Sequence, residues 1–185
     1  MACQGCPNVI EVLGYTFLDG KFGLVFPLAE APPLWAEAGG PVQYTPPELL
    51  RVTTYSYQVA TGVAAMHREG VVHRDLKHEN IRVAKGVATL IDLGMAWRID
   101  EPQTGARRHT FASDVYATGV VIHGLITGER PWADFSHTRD MYNHYASGGR
   151  LDWPPEVYLI GGDLVNLVEA CWDPTPRGGP PRTTS

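Results

Sequence analysis

Apolar residues recur at helical spacing from Leu49 through Val52, Val59, Val63 and Met66, which predicts one long helix with a single buried face. Its start is written in Thr45-Pro46-Pro47-Glu48: a hydroxyl to cap the third helical amide, a proline suited to the first turn, and a carboxylate able to bond back. Gly70 supplies a left-handed stop, so the helix is expected to end near residue 69, before the short apolar pair Val71-Val72. Upstream, Val9 to Phe17 and Lys21 to Phe26 read as strands joined by the tight-turn pair Asp19-Gly20, predicting a hairpin. Downstream, Asp114 to Thr127 is strongly apolar and stops at Gly128, and Leu164, Leu167, Val168 and Cys171 mark one face of a further helix capped by Asp163. Gly and Pro cluster between Pro27 and Pro47 and again after Asp173, where loops and a tail are expected.

Composition narrows the function classes. The chain has 185 residues, 44% apolar and 19% charged, which suits one domain with a sizeable core and excludes a disordered polyelectrolyte. A net charge of −5, with no basic run longer than Arg107-Arg108, lacks the footprint of a phosphate-backbone binder, so no nucleic-acid partner is expected. The apolar stretch from Val120 to Ile126 is broken by His123 and Gly124 and falls short of the roughly 20 residues of a membrane span. Met1 to Cys6 lacks a basic flank followed by an apolar signal core, which leaves the cytoplasm as the expected location. Cys3 and Cys6 form a single CxxC, and Cys171 is the one other cysteine, too few for a zinc site of ordinary spacing.

Chemistry concentrates after the long helix, in His73-Arg74-Asp75-Leu76-Lys77-His78-Glu79-Asn80, followed twelve positions after Asn80 by Asp92-Leu93-Gly94. The order and spacing resemble the eukaryotic protein kinase family, whose catalytic loop reads His-Arg-Asp-Leu-Lys-x-x-Asn and whose metal-binding turn reads Asp-Phe-Gly. The resemblance implies an α+β, kinase-like fold with a mostly helical C-terminal lobe. It also implies ATP and Mg²⁺ as cofactors, and phosphoryl transfer to a protein hydroxyl. Asp75 would orient and deprotonate the hydroxyl, Lys77 would neutralise charge on the transferring phosphate, and Asn80 and Asp92 would supply oxygen ligands to the metal.

Further matches extend over most of the chain. Pro7-Asn8-Val9-Ile10 and Leu24-Val25-Phe26 look like the family's fourth and fifth strands, with Phe26 at the gatekeeper position. Pro27, Leu28 and Ala29 would form the hinge that meets adenine, Ala29 giving its N–H. Asp114 opens what resembles the family's central buried helix, where that carboxylate bonds the catalytic-loop backbone. Cys171-Trp172 followed by Pro176 and Pro180 resembles a late motif of tyrosine-kinase-like enzymes, whereas Lys77 in the loop suggests Ser/Thr specificity.

The sequence departs from the family in three places. Only six residues precede Pro7, and no Gly-x-Gly-x-x-Gly occurs, so the phosphate-covering loop, its strand lysine and the paired helix glutamate have no counterpart in these residues. Asp92 and Asp114 are separated by 21 residues without Ala-Pro-Glu, and Gly179 stands where the family's buried arginine would pair with that glutamate. Both partners are absent together, which a fold tolerates better than the loss of one. Arg82 stands where the family places an apolar floor under adenine; its guanidinium could stack on a purine or turn to solvent.

Two other groups of residues are read as structural. Thr104, Thr110 and Ser113 are expected to be solvated loop hydroxyls, and His67, His123, His137 and His144 packing or surface residues, with the tryptophans in the core. The chain is thus expected to divide at residue 30, with 1–30 a remnant of the N-terminal lobe and 31–185 the C-terminal lobe. Three readings stay open: a Ser/Thr protein kinase, a noncatalytic kinase-like scaffold bound to a protein partner, and an incomplete copy of a longer protein. These residues alone are expected to transfer little phosphate, and an apolar patch is expected around Val12, Phe26 and Leu93.

Overall fold

The computed structural model describes residues 5–102, 109–134, 139–140, 143–144, 147–160 and 162–173. The predicted hairpin forms from β1, Gly14–Leu18, and β2, Lys21–Val25, in antiparallel register with Tyr15 opposite Leu24 and Phe17 opposite Phe22. Asp19 and Gly20 take φ of 50° and 74°, the left-handed pair that a two-residue hairpin turn needs. The first strand begins at Gly14 rather than Val9. Residues 8–10 are drawn away instead: Asn8 O accepts from Leu90 N, and Ile10 N donates to Leu90 O.

A short helix α1, Leu34–Ala38, interrupts the Pro27–Pro47 stretch that was expected to be loop, and buries Leu34 and Ala38. The long helix α2 spans Pro46–Arg68. The carboxylate of Glu48 accepts from the Thr45 amide at 3.1 Å and from its hydroxyl at 2.8 Å, so the capping signal is used as written. Val52, Tyr55, Val59, Val63 and Met66 fill its buried face, and Gly70 at φ 72° ends it.

Beyond Gly70 lie β3, Val71–Val72; β4, Ile81–Ala84; β5, Val87–Leu90; and β6, Trp97–Arg98. The β3–β6 and β4–β5 pairs are antiparallel two-stranded sheets. Lys85 and Gly86, both at positive φ, turn β4 into β5. Gln58 of α2 pins that turn, accepting from Ala88 N and donating to Gly86 O. Ile81, Val83, Ala88 and Leu90 face the core, leaving Arg82, Ala84 and Thr89 on the other face.

Helix α3, Phe111–Thr127, starts three residues before the expected Asp114 because Thr110 and Ser113 form its N-terminal cap. These two hydroxyls therefore serve the helix rather than a solvated loop; Thr104 lies outside the described residues. Helix α4, Gly162–Trp172, packs on α3 with Val165, Val168 and Trp172 as its buried face. Leu164 and Cys171 flank that face, while Leu167 is exposed. Of the tryptophans, Trp172 alone among the described residues is fully buried; Trp35, Trp97, Trp132 and Trp153 are half-buried. His123 is a packing residue, its ring 4.5 Å from that of Trp153 and its Nε2 donating to Asp152 O. His137 and the tail from residue 174 lie outside the described residues.

Gly62 shows how tightly the N-terminal segment is held against α2. A methyl group there would sit 2.6 Å from Asn8 O and about 3 Å from Leu90. Alanine normally gains about 1 kcal/mol over glycine inside a helix. Here Gly62→Ala is expected to destabilise by about 1–3 kcal/mol, the range for overpacked cores. A denaturant-unfolding midpoint at or above wild type would show that residues 7–10 are loosely held.

Candidate functional site

The loop between β3 and β4 carries the site. Val72 and His73 are fully buried, and the His73 ring donates through Nε2 to Ile91 O at 3.1 Å, joining the loop to the segment that carries Asp92. Arg74 follows at φ 72°, a left-handed conformation that a non-glycine residue adopts only when its surroundings hold it there. The holding group is the carboxylate of Asp114 on α3, 2% exposed, which accepts from His73 N at 2.7 Å and from Arg74 N at 2.9 Å. This matches the backbone-anchoring role expected of Asp114. The guanidinium of Arg74 lies over the Trp97 ring at 5.8 Å.

Asp75, Lys77 and Asn80 converge on one carboxylate oxygen. Oδ2 of Asp75 accepts from Lys77 Nζ at 2.7 Å and from Asn80 Nδ2 at 2.8 Å, and the same Nδ2 also donates to Asp75 O at 2.8 Å. Asn80 is buried, whereas the Asp75 and Lys77 side chains are 36% and 48% exposed, so the carboxylate and ammonium face solvent. The hydrogen bond to Asp75, helped by Glu79 and Asp92, holds the Lys77 ammonium above the usual lysine range.

His78 fixes this turn from below. Its buried ring donates to Val121 O at 3.0 Å, meets Trp35 edge-on at 5.4 Å and fills the space beside Gly124. Burial pushes its pKa down to about 4.

Asp92 is exposed and takes φ 59°, with Oδ1 accepting from Gly94 N at 3.3 Å. It lies next to Ile91, whose N–H donates to Asn80 O at 2.8 Å, so Asn80 and Asp92 are brought to one edge of the loop. Both offer the hard oxygens a small divalent cation prefers. With Asn80 Nδ2 committed to Asp75 and one Asp92 oxygen on Gly94, the Asn80 amide oxygen and the second Asp92 oxygen are left to such an ion. The donor set therefore fits Mg²⁺. Among the described residues no cluster of three or more His, Cys, Asp or Glu side chains forms a metal site on protein ligands alone.

A cleft of about 670 Å³ opens beside this edge, lined by Cys6, Val9, Ile10, Pro27, Leu28, Ala29, Arg82, Thr89 and Ile91 among others. Leu28 and Ala29 are exposed, and no backbone hydrogen bond within the described residues occupies Leu28 to Ala31, which leaves the Ala29 N–H available. Phe26 is half-buried and is not among the lining residues. Arg82 is, and its Nε is buried without a partner. Cys6 is a free thiol at the cleft wall; Cys3 lies outside the described residues.

The expected apolar patch takes the form of a second cavity, about 350 Å³, lined by Val12, Tyr15, Phe22, Leu24, Met66, Leu93 and Trp97 among others. Phe26 is not part of it. Tyr15, Phe17 and Phe22 stack on one another across the hairpin and are each at least 60% exposed.

Two residues of the site escape a reading of the sequence. His67 is more than a packing residue, because its Nε2 lies 3.0 Å from Asp114 Oδ2. His78 falls at a variable position of the motif, and only its depth beside α3 shows that it supports the loop.

Comparison with known proteins places the chain in a family. The family model described as "Protein kinase domain" matches residues 1–109, and one described as "Protein tyrosine and serine/threonine kinase" matches residues 103–182. The chain belongs to the protein kinase domain family. Among its relatives, the serine/threonine-protein kinase PkaA of Streptomyces coelicolor is 26% identical over 94% of this chain and 35% of its own length. The serine/threonine-protein kinase PknH of Mycobacterium tuberculosis is 29% identical over 68% of this chain and 23% of its own. Mitogen-activated protein kinase kinase kinase 10 of Xenopus laevis is 26% identical over 96% and 20%. The chain thus spans about a third or less of the length of these relatives. Family members in general use ATP and a divalent metal, and no helix of the described residues is long and apolar enough to cross a membrane.

Proposed function

We propose that this chain is the nucleotide- and substrate-facing part of a protein kinase domain that transfers the γ-phosphate of ATP to Ser or Thr hydroxyls of a protein. The observation that carries the reading is the Asp75 carboxylate, oriented by Asn80 and charge-balanced by Lys77 at one exposed edge. Asp75 accepts the proton of the incoming hydroxyl and aligns its oxygen; Lys77, kept protonated by its neighbours, faces the transferring phosphate. Asn80 and Asp92 hold Mg²⁺, which when bound neutralises charge on the phosphates. Leu28 and Ala29 meet the adenine in the cleft. Residues 1–30 then correspond to part of an N-terminal lobe, consistent with β1–β2 forming a sheet of its own, and 31–185 to the C-terminal lobe.

Nucleotide binding tests this directly. ATP with Mg²⁺ is expected to raise the melting temperature of the chain, and Asp92→Asn to abolish the increase while leaving the ligand-free melting temperature within about 2 °C, because Asp92 is exposed and bonds only its own turn. An equal shift in both proteins would remove Asp92 from the site.

A second reading, a noncatalytic kinase-like module that binds a protein partner, is favoured by one observation. Arg82 places a guanidinium in the cleft wall where an apolar surface would meet the base. The absence of any shift with ATP and Mg²⁺ in wild type would select that reading.

A further inference from the structure

We infer that Arg82 sets the base preference of the cleft toward guanine, so that GTP is held more tightly than ATP. The inference rests on the kinase reading above and narrows the phosphate donor that reading names. Arg82 stands on the outward face of β4, opposite Thr89 of β5, in the wall of the cleft of about 670 Å³. It is half-buried, and its Nε is enclosed without a hydrogen-bond partner. No ion pair among the described residues includes it, although Glu11 and Glu30 line the same cleft. The Thr89 hydroxyl is turned to other use, donating to Pro7 O at 2.9 Å.

A guanidinium kept in a largely apolar wall with its donors uncommitted calls for acceptors from the ligand. Its planar fork of N–H groups matches two acceptors lying side by side, and on guanine O6 and N7 are such a pair. Adenine carries its N6 amino group where guanine has O6, so there it meets the fork donor to donor. The remaining open groups of the cleft suit the same base. Glu11 and Glu30 are exposed carboxylates without ion-pair partners among the described residues, and guanine brings an N2 amino donor that adenine lacks. The charge of Arg82 also attracts phosphates, but it does so equally for both nucleotides. The ratio of the two affinities therefore reports on the base alone.

Titration calorimetry of the full chain with GTP and with ATP, each with Mg²⁺, tests the inference without requiring activity. Wild type is expected to bind GTP about tenfold or more tightly than ATP, the low end of what a bidentate arginine contributes at guanine. Inosine triphosphate, which keeps O6 and N7 and lacks the N2 amine, is expected to fall nearer GTP than ATP. Arg82→Leu leaves an apolar side chain in the wall, and there the ratio is expected to drop to about one or to favour ATP. Arg82→Lys keeps the charge without the fork and is expected to lose most of the preference. Wild-type affinities that are equal, or tighter for ATP, would overturn the inference and leave the kinase reading standing. So would Arg82→Leu weakening both nucleotides alike, since that describes attraction to phosphates. Binding of neither nucleotide would overturn the inference and the kinase reading together. The wild-type ratio needs no variant, so a substitution that fails to fold leaves the test in place.

Discussion

Asp114→Ala is expected to lower the stability of the folded chain by about 3 kcal/mol or more, since each buried donor left without a partner costs about 1–3 kcal/mol. The substitution strands the His73 and Arg74 amides together and leaves His67 without its acceptor. Removing a buried carboxylate recovers part of its own desolvation cost, which is why the loss is set at the low end of the sum. For a domain of this length the shift in melting temperature is on the order of 10 °C. The damage is also local in a predictable way. Among the described residues no other contact of comparable strength holds Arg74 at φ 72°, so the residue before Asp75 relaxes toward ordinary backbone and the Asp75–Lys77–Asn80 set loses its common oxygen. Thermal unfolding read beside nucleotide binding checks both parts. A loss under about 1 kcal/mol would show that the loop holds its shape without the clamp.

The division between what could be read in the sequence and what could not follows the range of the interactions. The capping box at Thr45-Glu48, the turn at Asp19-Gly20 and the stop at Gly70 are local signals, each satisfied within a few residues, and each forms where the chain spells it. The catalytic-loop wording is likewise contiguous, so Asp75, Lys77 and Asn80 were legible as a set, and the structure places them on one carboxylate oxygen. The start of β1 was not legible because Asn8 and Ile10 bond to Leu90, some eighty positions away, and no short-range pattern marks that choice. Helix α1 was hidden by the prolines on either side, although Leu34 and Ala38 sit at helical spacing. The β4–β5 hairpin did carry a signal, Lys85-Gly86 between two alternating runs, that the strength of the neighbouring motif obscured. His67 and His78 could be found only from depth and from partners on α3.

His78 makes the fold sensitive to mild acid. Unfolded, its imidazole takes up a proton near the ordinary pKa of 6.5; folded, burial beside Val121 and Trp35 keeps it neutral down to about 4. Between those values the unfolded chain binds the extra proton, so stability falls as pH falls, and the stabilisation is fully present only above about 6.5. The difference corresponds to about 3 kcal/mol at this one group. His123, also buried with its pKa lowered, adds to the loss with the same sign. Exposed carboxylates such as Glu48, held below the usual range by the Thr45 hydroxyl and amide, release their stabilisation at lower pH and stay out of this window. His78→Gln keeps a donor for Val121 O but takes up no proton. The variant is expected to be less stable than wild type at neutral pH, because it loses ring packing against Trp35 and Gly124. Its decline toward pH of about 4.5 is nevertheless expected to be shallower by most of the His78 share. Unfolding free energies measured across that range provide the check, and parallel curves for the two proteins would show that the ring is already charged when folded. Because His78 lies between Lys77 and Asn80 and its folded ring stays neutral down to about 4, the turn that orients Asp75 is expected to keep its shape in the folded chain over this interval and to loosen only below it.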